Sequence, residues 1–246
     1  MSAVLVIAGT DSSGGAGLTR DVRTLARLGA GALCAVTAVT VQSDAQVSAV
    51  HHIPPQLVRA QIAAALATGR VAAIKIGMLG TGAAVRAVAA SVPPRGATPL
   101  VLDPVLAASS GAELLDAAGR AALLEALLPR ATIVTPNIPE AAALLGLPSA
   151  RSEAELVQQA QALLALGAEN VLLKGGHGSG TEATDLLLTR GAAVRAFVAP
   201  RTAGTCRGSG CALAAAIAAG LAAGLDVVDA CARAKRHINE LLEADD

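Results

Sequence analysis

The stretch Gly204-Thr205-Cys206-Arg207-Gly208-Ser209-Gly210-Cys211 runs straight into a long apolar segment. Its glycines let backbone N–H groups converge, and a helix N-terminus adds partial positive charge. Together they make a nest for an anion. Cys211, at the start of that helix, is expected to have a lowered pKa. A Gly-rich turn with a small buried cysteine fits the same residues. Lys174 follows an apolar run and precedes two glycines; it is placed either to reach a phosphate or to be solvated. Asn137-Ile-Pro-Glu140 opens a helix directly after a strand. Its amide and carboxylate suit Mg²⁺, which takes oxygen ligands and keeps several waters. The residues alone favour a simpler reading, with Asn137 as helix cap and Glu140 as its N3 partner. Asp103, before Pro104, is a metal ligand or a turn former.

Asp11-Ser-Ser-Gly-Gly-Ala-Gly17 is a second candidate loop, for an anion or a substrate, although its acidic start argues against a phosphate there. Asp21 lies one helical turn further on and reads as a solvated helix face unless it serves a ligand. Gln42, just past a strand, suits a heterocycle or faces solvent. His51 and His52 cap a strand end, and His237 falls on the polar side of the last helix. Three common signatures are absent: G-x-x-x-x-G-K-[ST], G-x-G-x-x-G after the first strand, and G-x-S-x-G. Cysteines at 34, 206, 211 and 231 make no C-x-x-C, and the four histidines make no H-E-x-x-H.

The elements that must position these residues alternate between strand and helix. Ala3–Ala8, Leu33–Thr40, Ala72–Ile76, Leu100–Leu102, Thr132–Thr135 and Asn170–Leu173 read as strands. The run Ala3–Ala8 is continuously apolar, as a strand buried on both faces requires. Helices are expected over Ala16–Leu28, Pro54–Thr68, Ala83–Ser91, Asp116–Leu128, Ile138–Leu145, a stretch capped by a Ser152–Glu155 box and ending near Leu166, and Gly210–Ala223. Asp226 caps the last helix. Thr184–Leu188 and Ala193–Val198 face each other as a hairpin. The pattern implies right-handed crossovers and one three-layer α/β domain over residues 1–246. Ligands then bind beyond the carboxyl ends of the strands, where the candidate residues lie.

Composition excludes several classes. The chain has 246 residues, 53% apolar and 15% charged, with 19 basic and 19 acidic groups. It is long enough to bury roughly 70% of its unfolded surface. Disorder and a disulfide scaffold are excluded. Nucleic acid is not an expected partner, because there is no basic excess, one Phe, and neither Tyr nor Trp. The apolar stretches are too short or too interrupted to span a membrane. The start lacks the basic region of a secretory signal, so a cytoplasmic protein with reduced thiols is expected.

A resemblance then joins the motifs. Ile7 to Gly17 with Asp21, Lys75-Ile-Gly-Met-Leu79, Leu102-Asp-Pro-Val105, Thr135-Pro-Asn-Ile-Pro-Glu-Ala141, Leu173-Lys-Gly-Gly-His177 and Gly208-Ser-Gly-Cys211 resemble, in this order, the hydroxymethylpyrimidine/phosphomethylpyrimidine kinases of thiamine biosynthesis. Those belong to the ribokinase-like superfamily. The resemblance spans about Val4 to Gly224 and implies a three-layer α/β/α sandwich with a mostly parallel central sheet. It implies ATP and Mg²⁺, and phosphorylation of 4-amino-5-hydroxymethyl-2-methylpyrimidine and then of its monophosphate. Gly9, Asp21, Gln42, Met78 and Val105 would line the pyrimidine pocket. Asp103, Asn137, Glu140, Lys174 and Thr205 would serve the nucleotide, with Asp103 and Glu140 at the metal. Gly208, Ser209 and Gly210 would form the anion hole, with Lys174 at the phosphates. Cys211 would stand where many superfamily members place a catalytic Asp. A homodimer or higher homo-oligomer is expected.

The chain departs from the family pattern at Arg207, where His is usual, at Ser43-Asp44, where Asn-Thr is usual, and at Arg20, where Ala is usual. Arg207 either adds a cation to the phosphates or faces water. The chain also ends at Asp246 without the family's Gly- and His-containing tail. Pyridoxal kinase is the rival within kinases. A non-catalytic pyrimidine-binding protein is the rival outside them.

Overall fold

The computed structural model describes residues 2–175, 181–201 and 207–244. Thr205, Cys206 and His177 lie outside the described residues. In chain order the elements are β1 (Ala3–Asp11), α1 (Gly17–Arg27), β2 (Gly31–Gln42), β3 (Val47–His52), α2 (Pro55–Ala67), β4 (Val71–Ile76), α3 (Gly82–Ser91), β5 (Leu100–Leu102) and α4 (Ala117–Ala122). They continue with β6 (Ile133–Val134), α5 (Ile138–Leu145), α6 (Glu153–Ala165), β7 (Asn170–Leu173), β8 (Glu182–Thr189), β9 (Arg195–Pro200), α7 (Ser209–Ala222) and α8 (Val227–Ala244).

Among the described residues the strands form one nine-stranded sheet in the order β3-β2-β1-β4-β5-β6-β7-β8-β9. From β2 to β7 neighbours run parallel. β3, β8 and β9 are antiparallel additions at the two edges. The order reverses direction between β1 and β4, which opens a crevice at their carboxyl ends. Burial on both faces explains the continuous apolar runs. In β1, Leu5 and Ile7 face one core, with residues of α2, α3, α5 and α6. Val4, Val6 and Ala8 face the other, with α1, α7 and α8. From Ala212 to Leu221, α7 is buried throughout, because it packs on β1, β4 and β5 and also against α1 and α8. Its alanines permit that close approach, and the near absence of aromatic side chains is met by aliphatic packing.

Four expectations need correction. Beyond the expected strand end at His51 and His52, β3 is a full edge strand whose residues are mostly exposed, so no apolar alternation marks them. The expected helix over Asp116–Leu128 is α-helical only to Ala122, widens to a π turn over Leu123–Leu127 and tightens to a 3₁₀ turn over Leu128–Arg130. Pro129 lacks the N–H that a regular helix needs. Half of the Ser152 box forms: Ser152 Oγ accepts from Glu155 N, whereas the Glu155 carboxylate accepts from Arg151 N. His237 is buried rather than on a polar face, and burial holds its pKa below the ordinary value.

The carboxyl end of β7 is locked to β8. Gly175 N donates to Asp185 Oδ1 at 2.8 Å, and Lys235 of α8 donates to Asp185 Oδ2 at 2.8 Å. A Cβ on Gly175 would lie 1.8 Å from the Thr184 carbonyl oxygen. Gly175→Ala must push β8 away, and a loss of about 2 kcal/mol or more is expected in denaturant unfolding. An unchanged unfolding midpoint would contradict that close approach.

Candidate active site

Three adjacent strands deliver charge to one place. Asp103 follows β5, Asn137 follows β6, and Lys174 follows β7. Lys174 N donates to the Pro136 carbonyl, and Asn137 and Lys174 pair as a parallel bridge. The Lys174 ammonium lies 3.0 Å from Asp103 Oδ1 and 3.7 Å from Glu140 Oε2. Thr135 Oγ1 donates to the same Asp103 oxygen at 3.3 Å. Burial works against the charge on Lys174, but Asp103 and then Glu140 outweigh it, so the pKa is raised and the ammonium stays charged. Burial raises the Glu140 pKa against the pull of Lys174. The capping reading of Asn137 and Glu140 is realised in full: Asn137 Oδ1 accepts from Glu140 N at 2.8 Å, and Glu140 Oε2 accepts from Asn137 N at 2.7 Å. Glu140 therefore serves the helix start and the ammonium together.

The glycine turn meets this cluster. A Cβ on Gly210 would lie 3.1 Å from Lys174 Nζ, so the first turn of α7 faces the ammonium directly. Gly208 caps α7 in the left-handed region (φ 71°), and a Cβ there would lie 2.5 Å from the Gly15 carbonyl. The turn thus leans on the loop after β1. First-turn N–H groups have no partner within their own helix, so those of Ser209 and Gly210 are the type of donor an anion needs.

Cys211 corrects an expectation. Its thiol pKa is raised to about 11, not lowered. Burial is the largest cause. Lys75 and a hydrogen bond with the Gly17 backbone pull it down, while Asp21 and Asp103 push it up. The helix start is only one of several charges around the sulfur, and the resting group is a thiol.

The expected pyrimidine residues divide. Gly9 and Met78 touch, since a Cβ on Gly9 would lie 2.9 Å from Met78 Sδ. Met78, Ala38 and Leu114 form a small apolar cluster with Val105 against it. Gln42 stands half-buried at the end of β2, where its Oε1 accepts from Thr40 Oγ1 at 3.2 Å. Asp21 is not a solvated helix face. It is fully buried and paired with Lys75 at 2.8 Å, and its Oδ1 has no hydrogen-bond partner among the described residues. Burial pushes its pKa up to about 6 against the pull of Lys75. For Lys75, burial acts to lower the pKa, but Asp21, helped by Cys211 and Asp103, raises it. Gly77 makes room, because a Cβ there would lie 2.7 Å from Lys75 Nζ. A separate cleft of about 200 Å³ opens between Val50, His52, Thr81 and Leu114 and shares only Met78 with the expected pocket.

Lys75 was not singled out as a functional candidate, yet a lysine inside the apolar run Val71–Ile76 is itself the signal of a buried, paired cation. Asp11 opens the second candidate loop. It gathers its own loop, accepting from Ser13 N, Ser13 Oγ and Ala16 N. Arg207 does not simply face water. It meets Asp11, Ser13 and Asp44, so two departures from the family pattern, Arg207 and Asp44, touch one another.

The donor set at Asp103 and Glu140 is all oxygen and anionic, which fits a hard divalent cation such as Mg²⁺. Among the described residues no group of three or more His, Cys, Asp or Glu gathers that could hold a metal by itself. Asp103 and Glu140 would hold such an ion only together with oxygen ligands from elsewhere.

A lysine and a glycine-rich helix start, facing each other beyond the carboxyl ends of a parallel sheet, define a site suited to phosphoryl transfer. The comparisons agree. The family model for phosphomethylpyrimidine kinase matches residues 11–246, and the chain belongs to that family. It is 41% identical over 240 residues to the hydroxymethylpyrimidine/phosphomethylpyrimidine kinase of Escherichia coli, covering 97% of this chain and 90% of that one. The solved phosphomethylpyrimidine kinase of Clostridium difficile superposes with a TM-score of 0.84 at 32% identity, covering 98% and 99%. An ADP complex of Bacillus subtilis pyridoxal kinase superposes with a TM-score of 0.86 at 31% identity, covering 96% and 89%. The fold is the ribokinase-like one. Among the described residues no helix is long and apolar enough to cross a membrane.

Removing one partner of a buried ion pair strands the other charge. Asp21→Ala and Lys75→Met are each expected to cost about 3–5 kcal/mol in denaturant unfolding. A loss below about 1 kcal/mol for both would show that the pair is not desolvated.

Proposed function

We propose that this protein transfers the γ-phosphoryl group of ATP to the hydroxymethyl group of 4-amino-5-hydroxymethyl-2-methylpyrimidine, and then to the resulting monophosphate. The observation that carries this reading is Lys174 beside Gly210 at the start of α7, in a member of the phosphomethylpyrimidine kinase family. In the first transfer the hydroxymethyl oxygen bonds to the γ-phosphorus, the bond to the β-bridging oxygen breaks, and ADP leaves. In the second, an oxygen of the monophosphate attacks in the same way.

The chain's residues divide the work. Gly9, Met78 and Val105 offer an apolar wall to the ring, and Gln42 turns an amide toward its polar edge. Asp21, fully buried, acts through the Lys75 ammonium that it holds. The ammonium of Lys174 and the N–H groups of Gly208, Ser209 and Gly210 neutralise charge on the equatorial oxygens, which is most of what a loose phosphoryl transition state asks of a protein. Asp103 and Glu140, with Asn137 positioning Glu140, would hold Mg²⁺, which when bound supplies further neutralisation of phosphate charge. Thr205 remains a candidate nucleotide contact. Cys211 takes the hydroxyl proton as a thiolate, and Lys75 is the buried cation that favours that state.

A thiol held near pKa 11 gives a definite pH signature. Below its pKa the thiolate fraction grows tenfold per pH unit, so kcat/KM is expected to climb with near-unit slope from about pH 6 to about pH 9. Cys211→Ala is expected to flatten that slope and to lower kcat by about 10²–10⁴-fold at the alkaline end. The pyrimidine KM should stay within about threefold. An equal slope in the variant would remove Cys211 from proton transfer.

The activity itself is tested with ATP, Mg²⁺ and hydroxymethylpyrimidine, reading products by mass for one and two added phosphates. Pyridoxal is the comparison substrate, because the Bacillus subtilis relative is a pyridoxal kinase. A higher kcat/KM for the pyrimidine is expected. No phosphorylated pyrimidine would refute the proposal.

A further inference from the structure

We propose that Arg207 and Asp44 form a positioning latch that fastens the β2–β3 turn, and with it Gln42, to the start of α7. The affinity for the pyrimidine then depends on an ion pair outside the pocket. In that respect the proposal rests on the pyrimidine reading given above.

Arg207 lies where three segments meet. Its Nη2 donates to Asp11 Oδ2 at 2.9 Å, and its Nη1 donates to Ser13 Oγ at 2.9 Å and meets Asp44 Oδ1. Asp11 and Ser13 belong to the loop after β1. Asp44 belongs to the turn between β2 and β3. Arg207 itself precedes the left-handed Gly208 that caps α7.

The two carboxylates are unlike. Asp11 is buried and fixed by N–H groups of its own loop, so it anchors the guanidinium. Asp44 has a side chain 87% exposed on a four-residue turn, which Ser43 N closes by donating to the Gln46 carbonyl at 2.9 Å. Gln42 is tied from one side already: its N–H donates to Ser12 Oγ at 2.9 Å, and Ser12 Oγ donates to its carbonyl at 2.8 Å. The Arg207–Asp44 pair adds a second tie two residues further on. Both ties reach the β2 end that carries Gln42, and the Asp44 end of the second lies on that side, whereas its Arg207 end adjoins Gly208. Loss of the exposed partner should therefore weaken ring binding and spare the chemical step.

The test is steady-state kinetics on Asp44→Asn, Arg207→Gln and the double variant, with amide hydrogen exchange on the same proteins without ligands. Asp44→Asn is expected to raise the pyrimidine KM about three- to fivefold, the range open to an exposed ion pair. Its kcat and its KM for ATP should not change. The double variant should be no worse than Arg207→Gln alone, because a shared interaction is lost only once. Added salt should raise the KM of the parent and not that of Asp44→Asn. Residues 42–47 should exchange faster in Asp44→Asn, with the start of α7 unaltered. A pyrimidine KM unchanged by Asp44→Asn, or effects of the two substitutions that multiply, overturns the latch. If the parent chain phosphorylates no pyrimidine, the substrate reading fails. Hydrogen exchange still decides the latch in that case, and unchanged protection of residues 42–47 refutes it.

Discussion

An ammonium with little access to water must have negative charge beside it, and this constraint organises the molecule. The chain contains three lysines, Lys75, Lys174 and Lys235, and each is held by a carboxylate where a strand or helix meets the sheet. Lys75 ties β4 to α1 through Asp21. Lys235 ties α8 to β8 through Asp185, which in turn grips Gly175. Lys174 sits between them, held by Asp103 and Glu140 from two neighbouring strand ends. In a low-dielectric setting these contacts resist rearrangement, because a separated partner is left as a buried charge. They place the one lysine that faces the glycine turn.

The same economy of space governs the backbone. Gly77 lets Lys75 lie under the sheet end, Gly175 lets β7 turn against β8, Gly208 lets α7 start on the loop after β1, and Gly210 leaves room for Lys174. Charge and close approach reinforce one another. A Cβ at Gly210 would crowd the ammonium at 3.1 Å, and the helix start is set by the left-handed turn at Gly208. Asp11 and Arg207 complete this frame from the loop side, so the ring half and the phosphate half of the site share a boundary.

Most of the parallel sheet was legible in the sequence, because strands buried on both faces must be continuously apolar. β1, β5 and β7 announced themselves in this way, and α7 did so by its unbroken alanine-rich stretch. The gathering of Lys174, Asn137 and Glu140 was legible because Lys174 follows a strand and Asn137 and Glu140 open the helix after the neighbouring one. The edge strand β3 was not, since one hydrogen-bonded neighbour and a solvated face impose no apolar pattern. The pairing of Arg207 with Asp44 leaves no local trace, because the residues lie far apart in the chain. The thiol of Cys211 was misjudged for a related reason. Its helix start is visible locally, but burial and the carboxylates of Asp21 and Asp103 come from elsewhere in the fold and outweigh it. Lys75 was legible in principle, as a cation within an apolar strand.

The most direct test is a crystal structure of the protein with a non-hydrolysable ATP analogue and hydroxymethylpyrimidine. The terminal phosphate is expected within hydrogen-bond reach of both Lys174 Nζ and the first-turn N–H groups of α7, with the hydroxymethyl oxygen directed at its phosphorus. A terminal phosphate bound away from Lys174, with the ammonium still closed on Asp103 and Glu140, would contradict the account.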